Sequence, residues 1–307
     1  MIFIKTLKSI THQDSFQQEN IWNNLCVLEK ESVVVSPDYK QYIAPASLRR
    51  LSPVLRMATA AAKECQAEIT EEIDAICVGT ALGCLVDTEK FLVTIHTSTS
   101  ETLSPTAFIQ STHNTIAGQI SLELKNHSYN MTHTQNNLSF EVALIDAIMC
   151  CKEGKSNVLL GAADEAIDFL KLLKQTVIQS DIPFTSGTTF MIVGNDPTES
   201  EIGIQDCAVE FKTENVQHSL NEFLKKQQIS LTEIDQILVS GDSLQQQFPG
   251  SIDYLKYSGL YFSASAFAVH LGHDWLKKEK KKYLLIINEQ LRGKLGIILL
   301  NRDETYN

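Results

Sequence analysis

The hydrophobic and polar positions of this chain form two alternating patterns. Short apolar runs, typical of buried strands, are separated by longer segments whose apolar residues recur at helical spacing, and this alternation predicts an α/β fold. Predicted strands lie at the N-terminus and near residues 73–83, 128–132, 157–166, 234–242, 283–289 and 294–301. Predicted helices lie near residues 48–68, 88–95, 104–124, 138–151, 216–227 and 263–275.

A polar break at residues 196–201, "DPTESE", separates the pattern into two similar parts. We predict a first half at residues 1–195 and a shorter second half at residues 196–307. Each half contains a strand of the form xxIDxIxVxG, at residues 72–79 and 233–241, that follows a helix and an acidic stretch. This faint repeat predicts that the two halves share one βα pattern.

The middle of the first half holds a helix, a strand, a polar turn and a second helix. The helix at 104–124 opens with a cap-and-proline signal and carries the small residues Ala117 and Gly118 on a packing face. The turn "THTQNN" leads into the helix predicted from about Leu138 to Cys151. Many acyl-transfer enzymes use this layout to present a nucleophilic cysteine, because the positive end of the helix favours a thiolate. This turn contains no cysteine.

Composition and charge narrow the classes of partner. The chain has 307 residues, of which 43% are hydrophobic, and this is enough to bury a full core. Its net charge of −11 opposes binding to nucleic acid or to an anionic membrane. No run of about 18 apolar residues and no signal-peptide pattern is present, so we expect a cytoplasmic protein. The basic run at residues 277–282 is interpreted as a solvated helix end, or alternatively as a docking patch for an acidic carrier protein.

Linear motifs for cofactors and metals are missing from the sequence. It has no GxGxxG or GxxxxGK[ST] loop and no HExxH, zinc-type or EF-hand pattern. The seven cysteines form no CxxC pair and lie mostly in apolar segments, which is typical of buried free thiols. His270 and His273 are one turn apart on a predicted helix, but no third ligand accompanies them. We therefore expect neither a cofactor nor a metal.

Several segments follow one another in an order that occurs in a known family. "MIFIKTLKSITHQ" is similar to a first strand of that family, "RRLSPVLRMATAAAKE" to its arginine-containing helix, and "EIDAICVGTALGCLVDTEKFL" to the next strand, turn and helix. "SPTAFIQSTHNTIAGQISLEL" is similar to its dimer helix, and "THTQNNLSFEVALIDAIMCCKEGKSNVLLGAADE" falls where its nucleophile elbow lies. In this order the chain resembles the β-ketoacyl synthases of the thiolase fold. The resemblance implies two pseudo-repeated βα halves in a layered α-β-α-β-α arrangement.

Three positions depart from the catalytic pattern of that family. Ketosynthases need a cysteine thiolate to take up the acyl chain and two histidines to polarise the malonyl thioester. The resemblance places the nucleophile at Asn137, or at the neighbouring Gln135, in a degenerate elbow at residues 132–140. It places the two histidines at Ser240 and about Leu260. We therefore expect no ketosynthase activity from this chain by itself.

The sequence around the elbow resembles a narrower group. Thr132–Leu144 and Ala163–Glu165 are similar to the chain-length-factor-like ketosynthase relatives of aryl-polyene and flexirubin-type pigment pathways. This resemblance implies a catalytically inactive partner that forms a heterodimer with an active ketosynthase and shapes the tunnel for the growing acyl chain. An acyl carrier protein is the second implied partner.

The same resemblance implies which residues contact the other subunit. The dimer contact is expected from about Phe108 to Thr132, and Phe108 and His113 are candidate binding residues. Packing inside the protein's own core is the alternative for the apolar side chains of this segment, which are Phe108, Ile116, Ile120 and Leu122.

Polar residues near the elbow are further candidates. Thr134 and Asn136 are expected to bind a partner loop or an acyl carbonyl, and the alternative is a solvated turn in which Asn136 or Asn137 caps the following helix. Asp164 and Glu165 close a buried strand. A structural capping role is one interpretation of these two residues. The other is binding or acid–base chemistry, since ligand sites favour strand ends in α/β folds.

Two other functions stay open. One is a divergent thiolase-fold acyltransferase or hydrolase that uses Ser139, His133 or Asp164, which would require a Ser–His–acid set in space. The other is a homodimeric module that binds an acyl group or a carrier protein.

Overall fold

The computed structural model describes residues 1–28, 33–97, 105–170, 172 and 181–303. Ten strands occur in these ranges: β1 (Ile2–Ile10), β2 (Ala75–Gly79), β3 (Tyr129–His133), β4 (Val158–Asp164), β5 (Gly187–Gly194), β6 (Ile202–Glu210), β7 (Gln236–Val239), β8 (Ile252–Asp253), β9 (Tyr283–Leu291) and β10 (Lys294–Arg302). They form one mixed sheet in the order β3-β2-β4-β5-β1-β6-β10-β9-β7-β8.

The sheet consists of two halves with the same internal order. From its centre outwards, the first half runs β1, β5, β4, β2, β3, and the second runs β6, β10, β9, β7, β8. Within the sheet, β1 and β6 connect the two halves through the antiparallel pairs Ile2 with Ile204 and Phe3 with Gly203. This pseudo-symmetry confirms the expected pair of repeated βα halves. The two similar sequence segments become β2 and β7, which occupy equivalent places.

The helices lie on both faces of each half-sheet. In the described ranges they are α1 (Pro45–Leu48), α2 (Pro53–Ala67), α3 (Leu85–Thr97), α4 (Pro105–Gln110), α5 (Thr115–Leu124), α6 (Ser139–Lys152), α7 (Val216–Gln227), α8 (Asp242–Gln247), α9 (Leu255–Ser258) and α10 (Ser265–Glu279). None of them is long and apolar enough to cross a lipid bilayer.

Three hydrophobic clusters define the layers. The central cluster packs α6 and α10 between the inner faces of the two half-sheets. A second cluster covers the outer face of the first half-sheet with α2 and α5, and a third covers the outer face of the second half-sheet with α7. Because side chains alternate along a strand, Ile286 of β9 faces the central cluster while Ile287 faces the outer one. The predicted α-β-α-β-α layering is therefore confirmed.

One predicted helix is wrong. The segment 104–124 forms two helices, α4 and α5, with a break at residues 111–114, and Ser104 lies outside the described residues. The hydroxyls of Ser111 and Thr112 donate hydrogen bonds to the carbonyls of Phe108 and Ile109, and such bonds compete with helical ones. Ala117 is buried, as predicted for a packing face. The Gly118 α-carbon faces open space instead.

Candidate functional site

The turn between β3 and α6 has a fixed backbone. Asn136 adopts the left-handed conformation, with φ of 54°. The Ser139 hydroxyl donates to the Asn136 carbonyl at 2.7 Å and accepts a hydrogen bond from the Gln135 amide at 2.8 Å. The side chains of Thr134, Gln135 and Asn136 are exposed. A strand, a turn and a helix therefore follow one another as expected, and the polar side chains of the turn point to solvent.

Asn137, the position that the resemblance assigns to the nucleophile, faces the interior. It is fully buried, and its side-chain amide donates to the Lys294 carbonyl of β10 at 3.1 Å. The expectation that Asn136 or Asn137 caps α6 is wrong, since the N-cap residue is Leu138 and no side chain caps the helix. The amide of Asn137 serves a tertiary contact with the second half instead of a local one.

Glu141, in the first turn of α6, forms the buried centre of the site. The Asn288 side-chain amide lies 2.7 Å from both the Glu141 carboxylate and the Asn137 carbonyl, and donates to each. Burial raises the pKa of Glu141 to about 7, although the hydrogen bond from Asn288 opposes this shift. Gly296 makes room for the carboxylate, because a β-carbon there would lie 2.7 Å from its Oε1 atom.

Sequence reasoning missed Glu141 and Asn288. The signal for Glu141 was an acid among the apolar residues Phe140, Ala143 and Leu144, on the face of a helix that had to be buried. Asn288 interrupts the apolar run of β9 in the same way. Neither signal indicates which polar partner satisfies the buried group.

Buried polar atoms accumulate around Glu141. Burial and the charge of Glu141 raise the pKa of Tyr254 well above its ordinary value, and the Ser265 hydroxyl is close enough to lower the pKa of Glu141. The Ser263 hydroxyl acts in the same way on Asp164, and the side chains of Gln290 and Ser240 act on Tyr254. Within the described ranges, Asn137 Oδ1 is a buried atom of this region without a hydrogen-bond partner.

The two positions expected in place of the histidines carry no acid–base group. Ser240 follows β7, and its hydroxyl accepts a hydrogen bond from the Glu289 amide at 2.7 Å. Leu260 is buried, and its backbone bonds to Pro183 and Thr185. Both residues therefore join neighbouring chain segments.

The carboxylates of Asp164 and Glu165 hold backbone amides at the end of β4. Asp164 accepts from the Thr80 hydroxyl and from the amides of Ala81, Leu82 and Ser263 at 2.9–3.2 Å. Glu165 accepts from the amides of Val86 at 2.9 Å and Val54 at 3.4 Å, which lie in the first turns of α3 and α2. Burial raises the pKa of Glu165 to about 7 and also raises that of Asp164, and these hydrogen bonds oppose both shifts. A binding role for either residue stays a prediction.

The three residues considered for a divergent enzyme each bond to a different group and not to one another. The Ser139 hydroxyl bonds within the turn, His133 Nε2 lies 2.8 Å from Asp146 Oδ2, and Asp164 holds backbone amides. A Ser–His–Asp chain occurs elsewhere, where Ser9 Oγ lies 2.7 Å from His270 Nδ1. Asp274 is 3.7 Å from the other nitrogen of His270, beyond hydrogen-bonding range, and Ser9 is completely buried. This second set therefore presents no accessible nucleophile.

The segment expected to contact a partner divides between core and surface. Ile116 and Ile120 are buried in the outer cluster of the first half. Phe108 is 58% exposed, with its ring centroid 5.7 Å from that of Phe91, and Leu122 is 73% exposed. His113 is exposed between α4 and α5, with its ring over Gly83.

A larger apolar surface surrounds these residues. β3 is the terminal strand of the sheet, so its outer edge has no neighbouring strand in the part of the chain that the structure describes. The exposed large apolar residues on α3, α4, α5, β3 and α6 are Leu92, Val93, Ile95, Phe108, Ile109, Leu122, Tyr129, Met131 and Met149. We call these nine residues and the outer edge of β3 the edge surface. Exposed apolar side chains beside an open strand edge suit a protein interface.

Comparison with protein families and solved structures identifies relatives. The family model described as "Beta-ketoacyl synthase, N-terminal domain" matches residues 22–246, a range that crosses the predicted boundary between the halves. No curated protein matches the chain.

Solved structures share the whole fold at low sequence identity. "The ishigamide ketosynthase/chain length factor" has a TM-score of 0.83 at 12% identity, covering 98% of this chain and 99% of that one. A β-ketoacyl synthase from Burkholderia phymatum STM815 has a TM-score of 0.79 at 13% identity, with the same coverage of 98% and 99%. The ketosynthase ApeO in complex with its chain length factor ApeC, from Xenorhabdus doucetiae, has a TM-score of 0.63 at 15% identity and the same coverage.

Proposed function

This chain belongs to the β-ketoacyl synthase family, and we propose that it acts as the non-catalytic, chain-length-factor-like partner of an active ketosynthase. In this role it completes a heterodimer and contributes to the wall of the tunnel that holds the growing acyl chain. The reaction of the complex is a condensation of the fatty-acid or polyketide type.

One observation carries the proposal: a strand, a turn and a helix follow one another at residues 129–152, and the positions that the resemblance assigns to the catalytic cysteine and histidines hold Asn137, Ser240 and Leu260. The Asn137 amide and the Ser240 hydroxyl are used in hydrogen bonds between elements, and Leu260 is buried. None of the three side chains can form a thioester or transfer a proton to an enolate. The active cysteine and both histidines must therefore come from another subunit.

The edge surface supports the partner part of the proposal. An unpaired edge strand offers main-chain donors and acceptors to a second strand, and the apolar residues beside it add area that becomes buried on association. Tyr129 and Met131 lie on the edge strand itself, and Leu122 lies on the neighbouring helix α5. We propose that the ketosynthase subunit binds here.

We further propose a pigment pathway of the aryl-polyene or flexirubin type, in the cytoplasm. Support comes from the sequence patterns at Thr132–Leu144 and Ala163–Glu165. An acyl carrier protein is the expected source of the acyl chain. The lysines at the end of α10 and beyond it, within residues 277–282, are exposed and would suit the acidic surface of a carrier.

The test is co-expression of the full chain with a ketosynthase of the same pathway. We expect an equimolar complex by size-exclusion chromatography with light scattering, and condensation of carrier-bound malonyl and acyl thioesters whose rate or product length depends on this chain. The ketosynthase expressed alone is the control for the chain's contribution.

Other outcomes would favour the alternatives. A homodimer that binds no ketosynthase and turns over an acyl thioester would indicate a divergent acyltransferase or hydrolase. A homodimer that binds an acyl group or carrier protein without turnover would indicate a binding module.

A further inference from the structure

Two thiols and a carboxylate meet on the inner side of the edge strand. Cys77 lies on β2, and Asp146 and Cys150 lie one turn apart on α6. The sulfur atoms and a carboxylate oxygen of these three residues all lie within 4.8 Å of one another. Both cysteines are buried, and the carboxylate side chain is 15% exposed. The cluster is thus anchored in the interior and open at one side.

An imidazole contacts the carboxylate of this cluster. His133, the last residue of β3, places its Nε2 atom 2.8 Å from Asp146 Oδ2. Among the ion pairs of the described residues, that imidazole is the partner of Asp146, and no lysine or arginine pairs with the carboxylate. The four side chains come from β2, β3 and α6, three elements that are far apart in sequence.

A tyrosine supports the carboxylate from outside. The Tyr129 hydroxyl lies 3.1 Å from both Asp146 oxygens and donates to the carboxylate. Hydrogen bonds of this kind orient the ligands of metal sites and tune their affinity. The arrangement therefore has an inner set of two sulfur donors and one carboxylate, and two outer groups, His133 and Tyr129, that position the carboxylate.

We propose that Cys77, Cys150 and Asp146 form a binding site for a thiophilic divalent cation, with Zn²⁺ as the ligand. Two thiolates and one carboxylate, with a water molecule in the fourth position, are a donor set that suits zinc, whereas magnesium and calcium prefer oxygen alone. Binding requires both thiols to lose their protons, so two protons leave for each Zn²⁺ that enters. The bound ion would tie β2 to α6 behind the edge surface, while His133 and Tyr129 orient the carboxylate.

This proposal departs from the prediction that no metal binds. The sequence search looked for linear spacing, and the only regular spacing in this set is Asp146 to Cys150. The contact of α6 with β2 is what brings the third ligand, Cys77, to them. His270 and His273, the pair considered from the sequence, are not part of the cluster.

The experiment uses the full chain, reduced and freed of metal with a chelator. It is titrated with Zn²⁺ by calorimetry and with Co²⁺ by absorption, since Co²⁺ bound to thiolates gives strong charge-transfer bands. We expect one ion per chain, sulfur-to-cobalt absorption, and a higher melting temperature with Zn²⁺ because the ion binds the folded state.

Variants locate the site. Cys77→Ser and Cys150→Ser should abolish the sulfur-to-cobalt bands or weaken binding at least a hundredfold, while Tyr129→Phe should weaken it about tenfold. Cys151→Ser, the adjacent thiol on the same helix, and Cys26→Ser, an exposed thiol, should bind as the parent does. Asp146→Asn, which keeps the shape of the side chain, provides a further weakened variant if a serine variant fails to fold, as judged by circular dichroism.

Two results would overturn the proposal. One is a folded parent chain that binds neither ion and shows no sulfur-to-cobalt band. The other is binding that is unchanged in folded Cys77→Ser, Cys150→Ser and Asp146→Asn variants, because the ligands would then lie elsewhere.

Discussion

The two outer edges of the sheet occupy equivalent places in the two halves but differ in surface. β3 closes the first half with five residues, and Tyr129 and Met131 expose their apolar side chains there. β8 closes the second half with only two residues, and its Asp253 is buried. Among the described residues from 196 onwards, Phe211 is the one exposed large apolar side chain. The pseudo-symmetric fold is therefore asymmetric in the surface that it offers to a partner.

This difference bears on where the proposed partner would bind. A short edge strand with a buried acid discourages pairing with another chain, whereas a longer apolar edge invites it. The buried site differs from the two edges, because both halves contribute residues to it. Asn137 and Glu141 of the first half share Asn288 of the second.

The largest effect on stability is expected at Asp164, whose carboxylate accepts hydrogen bonds from both halves. Asp164 of β4 accepts hydrogen bonds from Thr80 of the first half and from Ser263 of the second. Asp164→Ala leaves buried donors unpaired and should lower the free energy of unfolding by about 3–5 kcal/mol. Urea denaturation measures this loss.

The matched control for that variant is an exposed aspartate. Asp14→Ala, which loses a hydrogen bond from Gln18 at the surface, should stay within about 0.5 kcal/mol of the parent. A loss below about 1 kcal/mol for Asp164→Ala would show that the two halves do not depend on this joint.

The next effect concerns the edge surface. Met131→Asp places a charge on the exposed side of β3 and should weaken the complex with the ketosynthase about a hundredfold, which corresponds to about 3 kcal/mol. Phe211→Asp, on the exposed surface of the second half, should leave the affinity unchanged. Calorimetry with the purified ketosynthase measures both, and equal weakening by the two variants would remove the distinction between the edges.

An effect of pH on stability is expected at Glu141, whose buried carboxylate accepts a hydrogen bond from Asn288 of the second half. The pKa of Glu141 is raised from 4.5 to about 7 by burial, so the folded chain binds this proton more tightly than the unfolded chain. Stability should therefore fall as pH rises from about 4.5 through about 7, by about 3 kcal/mol in total from this group. Glu141→Gln should remove that part of the slope, as measured by denaturation at several pH values. An unchanged slope would mean that Glu141 is not the titrating group.

The smallest effect is expected in the turn. Asn136 is held at a φ of 54°, a conformation that β-branched residues disfavour. Asn136→Val should destabilise the chain by about 1–2 kcal/mol, and Asn136→Gly should stay within about 0.5 kcal/mol of the parent. Thermal unfolding of the two variants measures the difference. Equal stabilities would show that the turn relaxes and that its geometry is not imposed by the fold.

The sequence predicted elements with strong periodicity and missed contacts between distant segments. The repeated segments at 72–79 and 233–241 indicated the two halves, and α7 begins and ends where its apolar spacing predicts. The break after α4 depends on two hydroxyls that bond to the helix carbonyls, and neither is distinctive in the sequence. The capping role assigned to Asn137 was wrong because its partner, Lys294, lies 157 residues away. Local patterns indicate which residues are buried but do not identify the distant groups that satisfy them.

The most direct test of the central claim is the condensation activity of the equimolar complex after the active cysteine of the ketosynthase subunit has been replaced by alanine. The account predicts that condensation is lost, because this chain supplies no thiol in its elbow and no histidine at Ser240 or Leu260. Condensation that persists in this complex, and that is abolished by changing residues of this chain, would contradict it.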